Sequence, residues 1–169
     1  SRDIRIRADD TVMAFYRSKP YMIRRSRGYS PLPIVAKRES SYAALGIGGE
    51  LKNAFCLGNK GLFYPSPYIG DMADMRSVRA LEAATTRMER LLEIQPDMHP
   101  GYNTSEMARV IAEREGVPVM EVQHHHAHMV SCMAENEYEG TALGVTFDGT
   151  GYGPDGTIWG GEFLLGDES

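Results

Sequence analysis

Cysteine is scarce in this 169-residue chain: Cys56 and Cys132 are the only two. They cannot build a paired-cysteine framework. This argues against a disulfide-stapled scaffold and for a reducing, cytoplasmic setting. Long apolar runs are missing too; none approaches the ~18 residues of a membrane span. The first residues, Ser1-Arg-Asp-Ile4, carry neither an initiator Met nor the apolar core of a signal peptide. There is no excess of positive charge. Lys and Arg number 18 against 23 Asp and Glu, a net charge of -5. Neither a nucleic acid nor a membrane is therefore expected as the main partner. What remains is an ordinary globular balance of 42% hydrophobic and 24% charged residues, which excludes extensive disorder. Glycine is abundant at 18 residues, and it gathers in two places that carry most of the functional information.

The charge is unevenly spread. Residues 1–38 hold ten basic and three acidic side chains, about +7, and the remainder carries about -12. Such asymmetry marks a boundary. Within the basic stretch, residues 11–16 and 21–23 read as two short strands around a turn at Ser18-Lys-Pro20. Arg24-Arg-Ser-Arg-Gly-Tyr-Ser-Pro-Leu-Pro33 reads as the tail of one unit and a linker into the next. The expected division is 1–33 and 34–169. The second unit opens with apolar runs on either side of Gly48-Gly49, a predicted hairpin, with a third strand at residues 61–64. Residues 75–92 place Val78, Leu81, Thr85, Met88 and Leu92 on one helical stripe, with Asp74 as cap. A loop follows over residues 95–102. Asn103-Thr-Ser-Glu106 resembles a capping box for a helix to Glu115, with Met107, Val110 and Ile111 inward and Gly116 as the stop. Then come a short strand at 117–122, a helix from about His125 to Asn136, a buried-looking strand at 141–147 and a last strand at 157–165. The hairpin followed by helix–strand alternation predicts an α/β fold with a mixed sheet.

Gln123-His-His-His-Ala-His128 holds four of the five histidines. At 100° per residue His124 and His128 share one helix face, one turn apart, which suits two imidazoles on a single metal ion. His125 and His126 point elsewhere. Cys132 extends the row by another turn as a candidate ligand, although a buried thiol is the favoured reading. A third ligand is better sought as a carboxylate on a neighbouring element. Asp148 qualifies, since it ends a strand at the sheet's carboxyl edge, where sites collect. The loop Phe147-Asp-Gly-Thr-Gly-Tyr-Gly-Pro-Asp-Gly156 is neither a Walker loop nor GxGxxG, because a strand follows it and no Lys-Ser/Thr does. Its glycines still let backbone N–H groups approach phosphate oxygens. Gly149, Thr150, Gly151 and Gly153 are the phosphate candidates, and Asp155 reads as a turn residue. Lys52 and Asn53, in Gly48-Gly-Glu-Leu-Lys-Asn53, are second candidates for a phosphate contact or else solvated surface residues.

These motifs, in this order and after Arg24-Arg-Ser-Arg-Gly-Tyr29, resemble hydrogenase-maturation carbamoyltransferases of the HypF type. The resemblance covers nearly the whole chain but only a middle slice of that family's protein. It implies that residues 1–33 end a YrdC-like domain, which makes carbamoyl-adenylate. It also implies that residues 34–169 are the first half of a carbamoyl-transfer domain with an actin-like ATPase (ASKHA) fold. Two His at i, i+4 and an Asp after the next strand would hold a metal beside the nucleotide phosphates; the match gives His124, His128 and Asp148. The implied chemistry uses ATP, with magnesium, and carbamoyl phosphate. It passes the carbamoyl group through carbamoyl-adenylate to the C-terminal Cys of a HypE-type partner in [NiFe]-hydrogenase maturation. Two imidazoles and a carboxylate suit iron or zinc alike. The alternatives are a tRNA threonylcarbamoyl-type transferase and a non-catalytic metal-binding or partner-docking fragment. In this family an apolar strand usually precedes the Asp97-Met-His-Pro-Gly-Tyr102 segment. Here Leu92-Glu-Ile-Gln-Pro96 runs straight into it, so a shortened central strand is expected.

Overall fold

The computed structural model describes residues 8–37, 40–92, 97–99, 103–149 and 151–167. They fall into two compact units, Ser1–Met120 and Glu121–Ser169.

The first unit begins with strands β1 (Val12–Tyr16) and β2 (Lys19–Arg24), an antiparallel pair. The turn lies at Arg17-Ser18, one residue earlier than the sequence suggested. Both residues have positive φ, 48° and 65°, the geometry that matches the twist of a two-residue hairpin. Pro20 sits inside β2, which belongs to a two-stranded sheet with an unpaired edge.

A five-stranded sheet follows. It contains β3 (Ile34–Val35), β4 (Ala44–Gly46), β5 (Cys56–Asn59), β6 (Leu62–Pro65) and β7 (Asp97–His99), in the order β3-β6-β5-β4-β7. All neighbours are antiparallel except β4 and β7, which run parallel. The sheet is mixed, as expected. β7 falls inside the stretch read as a loop, residues 95–102, and stands at the end of the strand order, so it is not the expected central strand; residues 93–96, where that strand would end, lie outside the described residues. The predicted tight hairpin at Gly48-Gly49 is not there. β4 and β5 do pair, but a long loop over residues 47–55 joins them. The loop is held from inside by Asn53, whose Nδ2 donates to the carbonyls of Ile47 and Gly49, both at 2.8 Å.

Helix α1 (Met75–Leu92) has the predicted bounds. Asp74 Oδ1 accepts from the backbone N–H of Arg76 at 2.9 Å, satisfying an orphan donor of the first turn. Leu81, Thr85 and Met88 are buried along its stripe. Helix α2 (Asn103–Glu115) buries Met107, Ala108, Ile111 and Ala112, while Val110 is 55% exposed. The inward face is thus rotated from the predicted one, because two small Ala residues let the helix sit close where Val110 would not. Gly116 ends it with φ +69°. These helix faces join Leu45, Ile47, Phe55, Leu57 and Met72 in one core. Each fully buried large apolar side chain contributes ~1.5–3 kcal/mol. Residues 117–122 form no named strand, only a single β-bridge at Val119, and Val117 and Val119 pack against this core.

The second unit contains α3 (His124–Glu135), β8 (Ala142–Thr146), β9 (Gly151–Tyr152), β10 (Ile158–Trp159) and β11 (Glu162–Gly166). β11 pairs antiparallel with β8, and β10 with β9. The single predicted last strand is thus two, broken at Gly160-Gly161. The expectation that β8 is buried holds on one face only. Gly144 and Gly166 turn towards Met129 of α3. On the other face Val145 lies opposite Phe163 and Leu143 opposite Leu165, and all four are exposed.

Candidate metal centre and glycine loop

The second unit holds the candidate site. Helix α3 starts at His124 because Gln123 caps it: its side-chain oxygen accepts from the His126 N–H at 2.8 Å. Gln is not among the favoured capping residues, so residue type alone does not signal this role. The same side chain donates through Nε2 to the Tyr152 carbonyl at 3.4 Å, tying the helix start to the glycine loop.

One turn of helix places His124 and His128 side by side, with Nε2 atoms 3.2 Å apart. Asp148 leaves the end of β8 and meets both. Its Oδ2 lies 2.6 Å from His124 Nε2 and 3.4 Å from His128 Nε2. Its other oxygen accepts from the Gly149 N–H at 2.8 Å. The hydrogen bond with His124 is the chief cause of a carboxyl held below its ordinary value, with the Gly149 N–H and the two imidazoles adding to it. The three ligand atoms all lie within 4.8 Å of one another. An ion at ~2.0–2.2 Å from N and O donors needs them roughly 3.3 Å apart in tetrahedral geometry. The two distances to His128, 3.2 and 3.4 Å, match that spacing, and the 2.6 Å hydrogen bond between His124 and Asp148 would have to open to admit an ion. The donor set of two imidazoles and one carboxylate suits a borderline divalent metal. Cys132 is exposed and lies outside the trio. The favoured reading of a buried thiol is thus corrected: the α3 face that packs inward carries His125, Met129 and Met133.

The other two histidines do point elsewhere. His126 Nε2 is 3.0 Å from the Asp167 carbonyl. His125 is completely buried, and its ring packs against Gly151: a Cβ placed there would stand 2.5 Å from His125 Nε2. Gly153 is equally enclosed, since a Cβ there would collide with the Trp159 indole. Asp155 organises the turn. Its Oδ1 accepts from the Thr157 N–H, the Thr157 hydroxyl and the Trp159 indole N–H at 3.1, 2.9 and 3.1 Å. The two Thr157 bonds, ahead of the Trp159 bond, hold its carboxyl below the ordinary value.

Of the phosphate candidates, Gly149, Gly151 and Gly153 follow Asp148 directly, and Thr150 lies outside the described residues. Lys52 and Asn53 belong to the other unit. Lys52 is exposed, with φ +52°. Asn53 is 1% exposed, so it is not a solvated surface residue, and its amide N–H groups are engaged by its own loop.

The fold and this constellation define a Kae1-like domain, an ASKHA-type α/β architecture. The HypF Kae1-like domain model matches residues 39–135, and the second subdomain of the carbamoyltransferase Kae1-like domain matches residues 144–169. The chain belongs to the HypF family. It is 38% identical to carbamoyltransferase HypF of Synechocystis over 92% of its length, and 38% identical to carbamoyltransferase HypF2 of Cupriavidus necator over 98%. Among solved structures it is similar to full-length HypF in a phosphate- and nucleotide-bound form, at 37% identity and a TM-score of 0.89 over 98% of this chain and 22% of that one. It is also similar to the T. kodakarensis HypF structure, at 39% identity and a TM-score of 0.83 over 94% of this chain and 21% of that one. The chain spans about a fifth of the length of the curated relatives it matches.

Proposed function

We propose that this chain is the metal- and phosphate-holding segment of an ATP-dependent carbamoyltransferase. In that reading residues 1–33 are the C-terminal remnant of a YrdC-like domain and its linker. Residues 34–169 are the leading part of the actin-like transfer domain. The observation that carries the proposal is the convergence of His124, His128 and Asp148 beside a glycine loop. These three side chains would hold a divalent metal, iron or zinc. Such an ion supplies Lewis acidity and a template for phosphate oxygens when bound. Asp148 fixes the start of the loop through Gly149, whose backbone N–H is thereby held next to the metal ligands. Backbone N–H groups of the loop, with Thr150, are the candidates to cradle phosphate charge. Lys52 of the first unit is a separate phosphate candidate, while the buried Asn53 is engaged by its own loop. No side-chain nucleophile of this chain is required, since the acceptor supplies a thiolate.

The substrates of the whole protein would be carbamoyl phosphate and ATP with magnesium, joined as carbamoyl-adenylate. The acceptor would be the C-terminal Cys of a HypE-type partner in [NiFe]-hydrogenase maturation. The cytoplasm is the fitting compartment. Among the described residues no helix is long and apolar enough to cross a membrane. The net charge of -5 speaks for a protein rather than a tRNA acceptor.

Metal analysis of purified protein tests the centre. His124→Ala is expected to abolish stoichiometric zinc or iron, while His125→Ala retains it. Equal metal content in the two variants would sink the assignment. For the transfer step, His124→Ala placed in a full-length HypF protein carrying this segment should remove carbamoylation of the acceptor, read by intact mass.

A further inference from the structure

His125 is the unexplained member of the histidine run. It is wholly buried, and among the described residues neither ring nitrogen has a hydrogen-bond partner. An imidazole kept dry and unpaired costs free energy that an apolar residue would avoid, so its retention here calls for a reason in shape. The Gly151 contact supplies one. A Cβ at Gly151 would stand 2.5 Å from His125 Nε2, 2.7 Å from Cε1 and 3.1 Å from Cδ2. The ring edge therefore occupies the volume that any side chain at position 151 would need. Gly151 is buried, and its partner on β10, Trp159, closes over Gly153.

We propose that His125 is a positioning residue: it is the rigid prop on which the glycine loop rests at Gly151, and it sets the place of the Gly151–Gly153 backbone relative to the His124/His128/Asp148 trio. The same helical turn thus does two separate things. His124 and His128 face the ion, and His125 faces the loop from behind. The partner set is complementary in size, a ring against a residue without a side chain. Removing the ring therefore relieves the clash that a side chain at position 151 would meet, and a methyl there takes up part of the vacated space. The consequence for phosphate rests on the function proposed above, whereas the packing does not.

The experiment is a mutant cycle on the 169-residue chain with His125→Ala, Gly151→Ala and the double variant. The first readout is amide hydrogen exchange of residues 148–153; the second is ATP affinity by calorimetry; zinc stoichiometry is the control. Each single variant is expected to speed exchange in the loop about tenfold, with β8 and β11 unchanged, and to weaken ATP to a similar degree. The double variant should be less perturbed in both readouts than the two singles combined, because the added methyl no longer meets the ring and takes up part of its space. Zinc stoichiometry should stay constant throughout. A double variant as perturbed as the two singles combined, or a His125→Ala loop that exchanges like wild type, overturns the proposal. If exchange follows the cycle but no variant, wild type included, binds ATP, the prop stands and the nucleotide reading of the loop fails.

Discussion

Asp148 divides its two oxygens between two tasks. Oδ2 meets His124 and His128, and Oδ1 holds the Gly149 N–H. The His124 hydrogen bond, aided by Gly149, keeps the carboxyl below its ordinary value of 3.8. A carboxyl depressed in the folded state adds stability that is present above the unfolded pKa and lost as pH falls through the lower folded one. The side chain is 40% exposed, so solvent screening keeps the contribution under about 1 kcal/mol. In metal-free protein the stability gap between wild type and Asp148→Asn should close as pH falls below about 4. Urea unfolding as a function of pH checks it. A gap that stays fully open down to about pH 2 would mean that the Asp148 charge is not what the variant removes.

Asn53 shows how an element-scale role differs from a motif-scale one. Read in sequence, Gly48-Gly-Glu-Leu-Lys-Asn53 looks like a phosphate-contacting hairpin. In the fold it is a nine-residue loop, 47–55, braced from inside. Asn53 Nδ2 bridges the Ile47 and Gly49 carbonyls, its backbone N–H donates to the Gly70 carbonyl, and its own carbonyl accepts from Ile69. Asn53→Ala strands two buried carbonyls and should cost about 1–3 kcal/mol. Lys52→Ala, at an exposed position, should stay within about 0.5 kcal/mol. Denaturant melts separate the two. Local signals were sufficient for α1, whose stripe and Asp74 cap are encoded within eighteen residues. They sufficed for the trio too, since i, i+4 spacing and a strand end follow from backbone geometry alone. What sequence could not show depends on distant partners. Residues 117–122 look like a strand because they are rich in Val. In the fold they form no named strand, only the bridge at Val119, and Val117 and Val119 find their place against the core. Val110 was assigned inward by spacing alone, where the choice of face belonged to Ala108 and Ala112. The caps at Gln123 and the prop at His125 are equally non-local: each makes sense only once Tyr152 and Gly151 have been brought back to α3.

At the scale of the molecule, one face of the β8/β11 ladder is the telling feature. Leu143, Val145, Phe163 and Leu165 are 64%, 46%, 71% and 77% exposed. Cross-strand apolar pairs of this kind belong in a sheet covered on both faces. An open apolar face of four such side chains, beside Phe147 at 87% exposure, favours self-association. The apparent mass of the 169-residue chain is therefore expected to rise with concentration in sedimentation. An actin-like site closes on its nucleotide only between two halves. The second-subdomain family model accounts for just residues 144–169 here, and the chain spans about a fifth of its curated relatives. The basic hairpin β1/β2 likewise leaves Phe15 and Ile23 71% and 63% exposed, so it lacks a core of its own. Residues 1–169 alone are expected to hold the metal but to transfer no carbamoyl group. The test is incubation with ATP, magnesium, carbamoyl phosphate and a HypE-type acceptor, followed by intact-mass analysis of that acceptor. An adduct of one carbamoyl group on its C-terminal Cys would show that this segment suffices for the whole reaction. The division of labour argued here, with metal and loop in this chain and closure supplied elsewhere, would then be wrong.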